Sequence, residues 1–201
     1  MENFNDEYFI MKTDGANNHP MLAWGKTKIA PFIKAEPVNA DDYELPLQIP
    51  FSEPYPNEYE MVDLHMLNSL FGASEQLKNL FETMNVHGVQ FVPVEITSNK
   101  NDVIKGYHVL HIWNKLTAID KSNYVGSEPN RFGNILSLQQ FALDSGVLNT
   151  ISLEERLIFG LKENSTIYLV HQILKDAIEK AGLKGMCFWK VSEWNDNTMF
   201  Q

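Results

Sequence analysis

"MNVHGVQFVPV" (84–94) and "AGLKGMCFWKV" (181–191) are one phrase written twice, 97 positions apart. Gly88 falls on Gly185, Phe91 on Phe188 and Val94 on Val191. Upstream, Leu77-Lys78 falls on Leu174-Lys175 and Glu82 on Glu179. Each copy reads as helix, tight turn, strand. In "SEQLKNLFETM" (74–84), Leu77, Leu80, Phe81 and Met84 lie at helical spacing behind Ser74, a side chain suited to an N-cap. In "LVHQILKDAIEKAGL" (169–183), Val170, Ile173, Leu174, Ala177, Ile178 and Ala181 form a stripe, closed by Gly182 as a left-handed cap. Gly88 and Gly185 suit an abrupt reversal, because glycine accepts positive φ at little cost. The strands "GVQFVPVEI" and "GMCFWKV" then place Phe91 and Phe188 as core anchors. The phrase is therefore packing, not chemistry. It reflects either a duplicated unit or two unrelated units obeying the same local rules.

Working outward, "GYHVLHIWN" (106–114) alternates as a strand, with Tyr107, Val109, His111 and Trp113 on one face. The turn Asn99-Lys100-Asn101-Asp102 predicts an antiparallel pairing with "GVQFVPVEI". Pro93 predicts an edge position or a bulge. "ERLIFGL" and "TIYLV" predict strands around the turn "KENS". Ser122 to Thr150 reads mainly as loop, with a short element such as "ILSLQQFAL". Seven of the nine prolines lie between Pro20 and Pro56. The first 60 or so residues therefore predict extended loops and short edge strands, from "EYFIMK", "KIAPFI" and "YELPLQI". The fold class expected is α+β: mixed, largely antiparallel sheets with a few packed helices, in one domain over 1–201. Its proline-rich, acidic part is 1–61 and its core 62–201. The polar tail after Trp194 is expected to fray.

Charge is unevenly placed. The net charge is −10, and no Lys or Arg occurs between Lys34 and Lys78. That stretch holds Glu36, Asp41, Asp42, Glu44, Glu53, Glu58, Glu60, Asp63 and Glu75; the rest of the chain nearly balances. Phosphate binding needs the opposite sign, which argues against nucleic acid and anionic membrane as partners. Two readings stay open: a solvated face, or a surface that steers a basic protein partner. On the second, Asp41, Asp42, Glu44, Glu53, Glu58 and Glu60 are the candidate partner-binding residues. The single cysteine, Cys187, excludes an internal disulfide framework. With an acidic N-terminus unlike an export signal and no apolar run long enough for a membrane helix, this predicts a cytoplasmic protein.

No catalytic pattern emerges. The chain has neither a Gly-rich phosphate loop nor a G-x-S-x-G elbow. His108 and His111, three apart on a strand, face opposite ways and cannot share a metal. Cys187 beside Met186 and Phe188 reads as a small buried hydrophobe. Neither a cofactor nor a metal is expected.

"ISLEERLIFGLKENSTIYLVHQILKDAIEKAGLKGMCFWKVSEW" (151–194) resembles the end of a bacterial immunity-protein family, the eleventh in the usual list for polymorphic toxin systems. "GASEQLKNLFETMNVHGVQFVPVEI" and "YHVLHIWNKLTAID", ending at Asp120, resemble its central block. The resemblance covers about Val62 to Trp194. It implies an antitoxin, not an enzyme, that binds a cognate toxin domain in the cytoplasm and blocks its active site or assembly; it supplies no catalytic residue. A rival reading is a small-ligand-binding or regulatory module, which needs an apolar pocket, such as one lined by Trp113 and Trp189. An enzyme of another type would need titratable groups clustered in a cleft.

Overall fold

The 97-residue offset is kept from the strand before each helix to the start of the strand after it in the structure, a computed structural model that describes residues 4–26 and 30–195. In chain order the strands are β1 (Tyr8–Thr13), β2 (Leu47–Pro50), β3 (Leu64–Leu67), β4 (Leu70–Ser74), β5 (Val89–Thr97), β6 (Val103–Ile112), β7 (Lys115–Leu116), β8 (Ile119–Gly126), β9 (Leu138–Leu143), β10 (Ile158–Leu161), β11 (Tyr168–His171) and β12 (Met186–Lys190). The helices are α1 (Phe4–Glu7), α2 (Glu75–Thr83), α3 (Ser145–Leu148) and α4 (Gln172–Lys180). One sheet runs β12-β1-β11-β10-β7, a second β2-β5-β6-β4-β3, and β8-β9 form a separate ribbon. The class is α+β.

In the second sheet, α2 joins β4 to β5, and β6 lies between them, antiparallel to both. In the first sheet, α4 joins β11 to β12, and β1 lies between them, antiparallel to both. A hairpin precedes each helix, β3–β4 in one case and β10–β11 in the other. The two units thus share one strand order. Their middle strand comes from different places: β6 follows its unit, whereas β1 comes from the start of the chain.

The local chemistry matches as well. Ser74 Oγ accepts the amide of Leu77 at 3.2 Å, capping α2. His171, its counterpart, accepts the amide of Ile173 on Nδ1 at 3.2 Å, capping α4. Both helices close with the same pair of reversed bonds. Asn85 N–H donates to Glu82 and Val86 N–H to Phe81; Gly182 N–H donates to Glu179 and Leu183 N–H to Ile178. Asn85 and Gly182 are left-handed, with φ of 50° and 70°. Gly88 (φ 80°) and Gly185 (φ 90°) then turn the chain into β5 and β12. A Cβ at Gly88 would lie 2.2 Å from Asn114 Cβ, and one at Gly185 would lie 2.5 Å from the Leu64 carbonyl.

Leu77 and Phe81 of α2 and Leu174 and Ile178 of α4 share one buried cluster with Met11, Leu110, Ile158 and Val170, drawn from both sheets. Phe71 and Tyr168, which are equivalent positions, meet edge to face there at 5.2 Å. The outer face of the first sheet (Tyr8, Ile10, Phe159, Leu169) is covered by the β8–β9 ribbon, through Ile119, Phe141 and Leu143. The outer face of the second (Val92, Val94, Ile96, Val109) is covered by the proline-rich segment, through Leu22, Trp24, Phe32 and Phe51.

Several expectations are corrected. β1 is an interior strand, not an edge; it precedes Pro20, so every amide it needs for two-sided pairing is present. Within "KIAPFI", Ala30–Ile33 is a 3₁₀ turn, with Lys34 N–H on the Pro31 carbonyl, and Phe32 packs on Trp24 at 5.0 Å; Lys28 and Ile29 lie outside the described residues. α4 begins at Gln172, because Leu169 and Val170 pair with β1 and β10. Its stripe is narrower than expected, since Ile173 is exposed. Ser122 to Thr150 holds much of β8 and all of β9. Pro93 meets both of its alternatives: β2 pairs β5 only from Val94 to Thr97, and the register slips between Val94 and Ile96. The tail expected to fray lies, beyond Asn195, outside the described residues.

Candidate functional site

At the end of β1 the chain makes a compact turn over residues 14–20. Gly15 takes φ 66°, the Asp14 carboxylate accepts the amide of Ala16, and its Oδ1 lies 2.8 Å from His19 Nδ1. The turn is anchored by Asp14 N–H on the Gly185 carbonyl, at 3.1 Å, so the second glycine of the repeat sets its position. Below it lies β3, carrying Leu64, His65 and Met66. Opposite stands the segment after β2, held by Ser52 N–H on Met21 and by Asn99 Nδ2 on Pro56. Glu60 N–H on Asn18 closes the side, at 2.9 Å. These pieces enclose a groove of about 240 Å³, walled by residues 13–17, His19, Pro20, Met21, Pro54, Pro56 and 64–66.

The groove has an unusual lip. Met21, Tyr55 and Met66 expose 43%, 46% and 42% of their surface on or beside it. Asp14, in the groove wall, and Glu53, Glu58 and Glu60, in the segment that carries Pro54 and Pro56, are exposed. Glu60 pairs with Lys184 at 3.4 Å. An apolar, adaptable centre inside a charged rim is the general anatomy of a protein-binding surface. His65, at its floor, is buried. Its Nδ1–H donates to the Pro20 carbonyl at 2.9 Å and its Nε2 accepts the amide of Val62 at 3.0 Å, so the ring is neutral. Burial pushes its pKa down from 6.5 to about 4.

The six acids singled out in the sequence are all exposed, but they form two groups. Glu53, Glu58 and Glu60 sit in the segment that walls the groove. Asp41, Asp42 and Glu44 stand before β2, where Ala40–Asp42 is a 3₁₀ turn capped by Asn39. The strand between the groups spans about 10 Å. Asp14, Met21, Tyr55 and Met66 were not singled out from the sequence. Proline spacing placed 53–56 in a loop, but nothing local marks which apolar residues a loop leaves uncovered.

Asp14 and His19 are paired within one turn, and Cys187, opposite Lys12 in the sheet, is held as a thiol by burial and by the charge of Asp14. His108 and His111 do face opposite ways: His108 lies 3.4 Å from Glu75 of α2, and His111 Nε2 lies 2.8 Å from the Glu36 carbonyl. Among the described residues no three His, Cys, Asp or Glu side chains come together where a metal could be held. Trp113 packs on His87 at 5.1 Å and Trp189 on the first sheet's outer cluster; neither lines the groove.

The model of an immunity protein family, Imm11, matches residues 12–193. The chain belongs to the Imm11 immunity protein family. Its role is therefore in toxin immunity, and its partner is a protein, a cognate toxin. No curated protein matches the chain. The Imm11 match takes in the groove, both groups of acids and both copies of the repeat, so the proline-rich segment is part of the family's unit.

Proposed function

We propose that this Imm11 protein acts as a cytoplasmic antitoxin of a polymorphic toxin pair, binding its toxin in a stoichiometric complex without catalysis. Its toxin-facing surface is the groove with its acidic rim. The observation that carries this reading is the exposure of Met21 and Met66 on a groove that Asp14 also lines, with Tyr55, Glu53, Glu58 and Glu60 exposed in the segment that supplies Pro54 and Pro56 to its wall. The carboxylates steer a basic partner, and the apolar centre retains it once water is excluded.

The test is co-expression and stopped-flow association with the toxin encoded beside this gene. Replacing Glu53, Glu58 and Glu60 together by Gln should slow association about tenfold at low salt and flatten its salt dependence. The matching Asp41→Asn, Asp42→Asn, Glu44→Gln variant should have a smaller effect. Tyr55→Ala should instead accelerate dissociation, by about 30-fold if it is an anchor. Unchanged rates in the first variant and in Tyr55→Ala would remove the groove from the interface. A second reading, a small-ligand module, is favoured by a separate cavity of about 420 Å³ on the far side of the first sheet.

A further inference from the structure

That cavity lies between the β8–β9 ribbon, the loop joining its strands, and the turn between β10 and β11. Its walls are apolar: Ile119, Tyr124, Phe132 and Ile135. Its volume falls in the usual range for small-ligand sites, about 300–1,000 Å³. Glu163 lines it too, and this residue is only 8% exposed.

Glu163 is held in place from three sides. Its Oε1 accepts the amide of Ile119 at 3.0 Å, and its own carbonyl accepts the amide of Ile135 at 2.7 Å. The neighbouring Asn164 Nδ2 donates to the Ile135 carbonyl at 3.2 Å. Its other oxygen, Oε2, is buried and has no hydrogen-bond partner among the described residues. A buried carboxylate oxygen without a donor is costly to retain, and native structures rarely keep one without a role. The immunity reading does not use it, since the groove lies elsewhere.

We propose that this cavity binds a protonated amine carried on an apolar stem, with the Glu163 carboxylate as the acceptor, its side chain turning to bring Oε2 to the cavity. A carboxylate is satisfied best by a charged donor, which forms a shorter and stronger bond than a neutral one. The aromatic walls suit both parts of such a ligand: the stem lies along them, and their faces attract the cation. The Phe132 ring already carries a guanidinium, that of Arg131, 4.6 Å from its centre. Lys121, Lys162 and Glu128 line the cavity with exposed side chains and form its mouth. Two lysines and two carboxylates line the cavity and the Arg131 guanidinium lies on its Phe132 wall, so nothing there attracts polycations. It selects instead a single ammonium that can pass the mouth and leave water behind.

The probe is n-hexylammonium, titrated into the ¹⁵N-labelled full chain and followed by amide chemical shifts. The reporter is the Ile119 amide, which is bonded to Glu163. Saturable shifts at Ile119 and across 132–135 at millimolar amine are expected, with 1-hexanol binding more weakly. Glu163→Gln keeps an acceptor for Ile119 and should lower amine affinity about tenfold or more while leaving hexanol unchanged. Should that variant not fold, Phe132→Ala, at a residue 72% exposed, should weaken amine binding in a folded protein. A capped peptide with one Lys among apolar residues, against its norleucine twin, separates the sources. Tighter binding of the Lys peptide than of hexylammonium assigns the site to a side chain of a partner protein; the reverse assigns it to a free amine. Absence of saturable shifts with both amines, or equal binding of hexanol, overturns the proposal. So does binding seen only after Lys121→Met or Lys162→Met, because the chain's own ammonium would then fill the site.

Discussion

At the scale of single residues, His65 shows how burial turns a side chain into a pH-dependent brace. Both ring nitrogens are engaged, one as donor and one as acceptor, which a protonated ring cannot do. Its folded pKa, about 4, lies below the unfolded value of 6.5. Between those values the unfolded chain takes up a proton that the folded chain refuses. The contribution of His65 is thus complete above about pH 6.5 and is lost as pH falls towards 4, by about 3 kcal/mol in total. Burial shifts His108, His111 and His171 the same way, so the whole protein should lose more than this. Urea midpoints at pH 7 and pH 4.5 for wild type and His65→Gln should show a smaller fall in the variant; equal falls would refute the brace. The residue scale is also where sequence reading was weakest at the site. The carboxylates were legible because charge rarely goes inside. Met21 and Met66 were not, because methionine is as often core as surface and only neighbours decide.

At the scale of elements, the repeat is legible because its signals are local. Ser74 and His171 act within three residues, and the closing bonds of α2 and α4 span five. The glycines of the second copy separate two functions of that residue. Gly182 has φ 70° and nothing within 4 Å of a built Cβ, whereas Gly185 has φ 90° and meets the Leu64 carbonyl and Val62. Gly182→Ala should therefore cost about 1–2 kcal/mol, the left-handed penalty alone. Gly185→Ala should cost clearly more, because β3 must also move away; thermal or urea unfolding of the two variants checks the order. Where element reading failed, a non-local contact had prevailed. Leu169 and Val170 belong both to the expected strand "TIYLV" and to the expected start of the helix, and pairing with β1 and β10 holds them as strand. Phe32 is drawn into a 3₁₀ turn by burial against Trp24 and Tyr43.

At the scale of the whole molecule, the two units share a strand order and differ in where the middle strand enters. β12 and β1 are joined like a hairpin without a loop: Val191 N–H donates to the Tyr8 carbonyl and Ser192 N–H to the Asn5 carbonyl. A circular permutant linking residue 195 to residue 4, and opened between Glu128 and Arg131, should fold with the same far-UV spectrum and a single cooperative transition. It should keep toxin binding at the groove and lose the amine cavity. Ile10, fully buried in β1, tests the same architecture: Ile10→Ala should lower stability by about 2–5 kcal/mol, as for a core site and not an edge.

By itself the sequence determined the α+β class, the paired helix–glycine–strand units with their caps, and an acidic segment bare of bases. These follow from propensities, caps and charges that act within a few residues. The tertiary structure alone decided that β1 lies inside a sheet, that the acids form two groups, that two methionines and a tyrosine stand uncovered, and that Glu163 is buried with one oxygen unpaired among the described residues. Each of those depends on which distant segments meet, and strand pairing and exposure are set by contacts that no short stretch of chain contains.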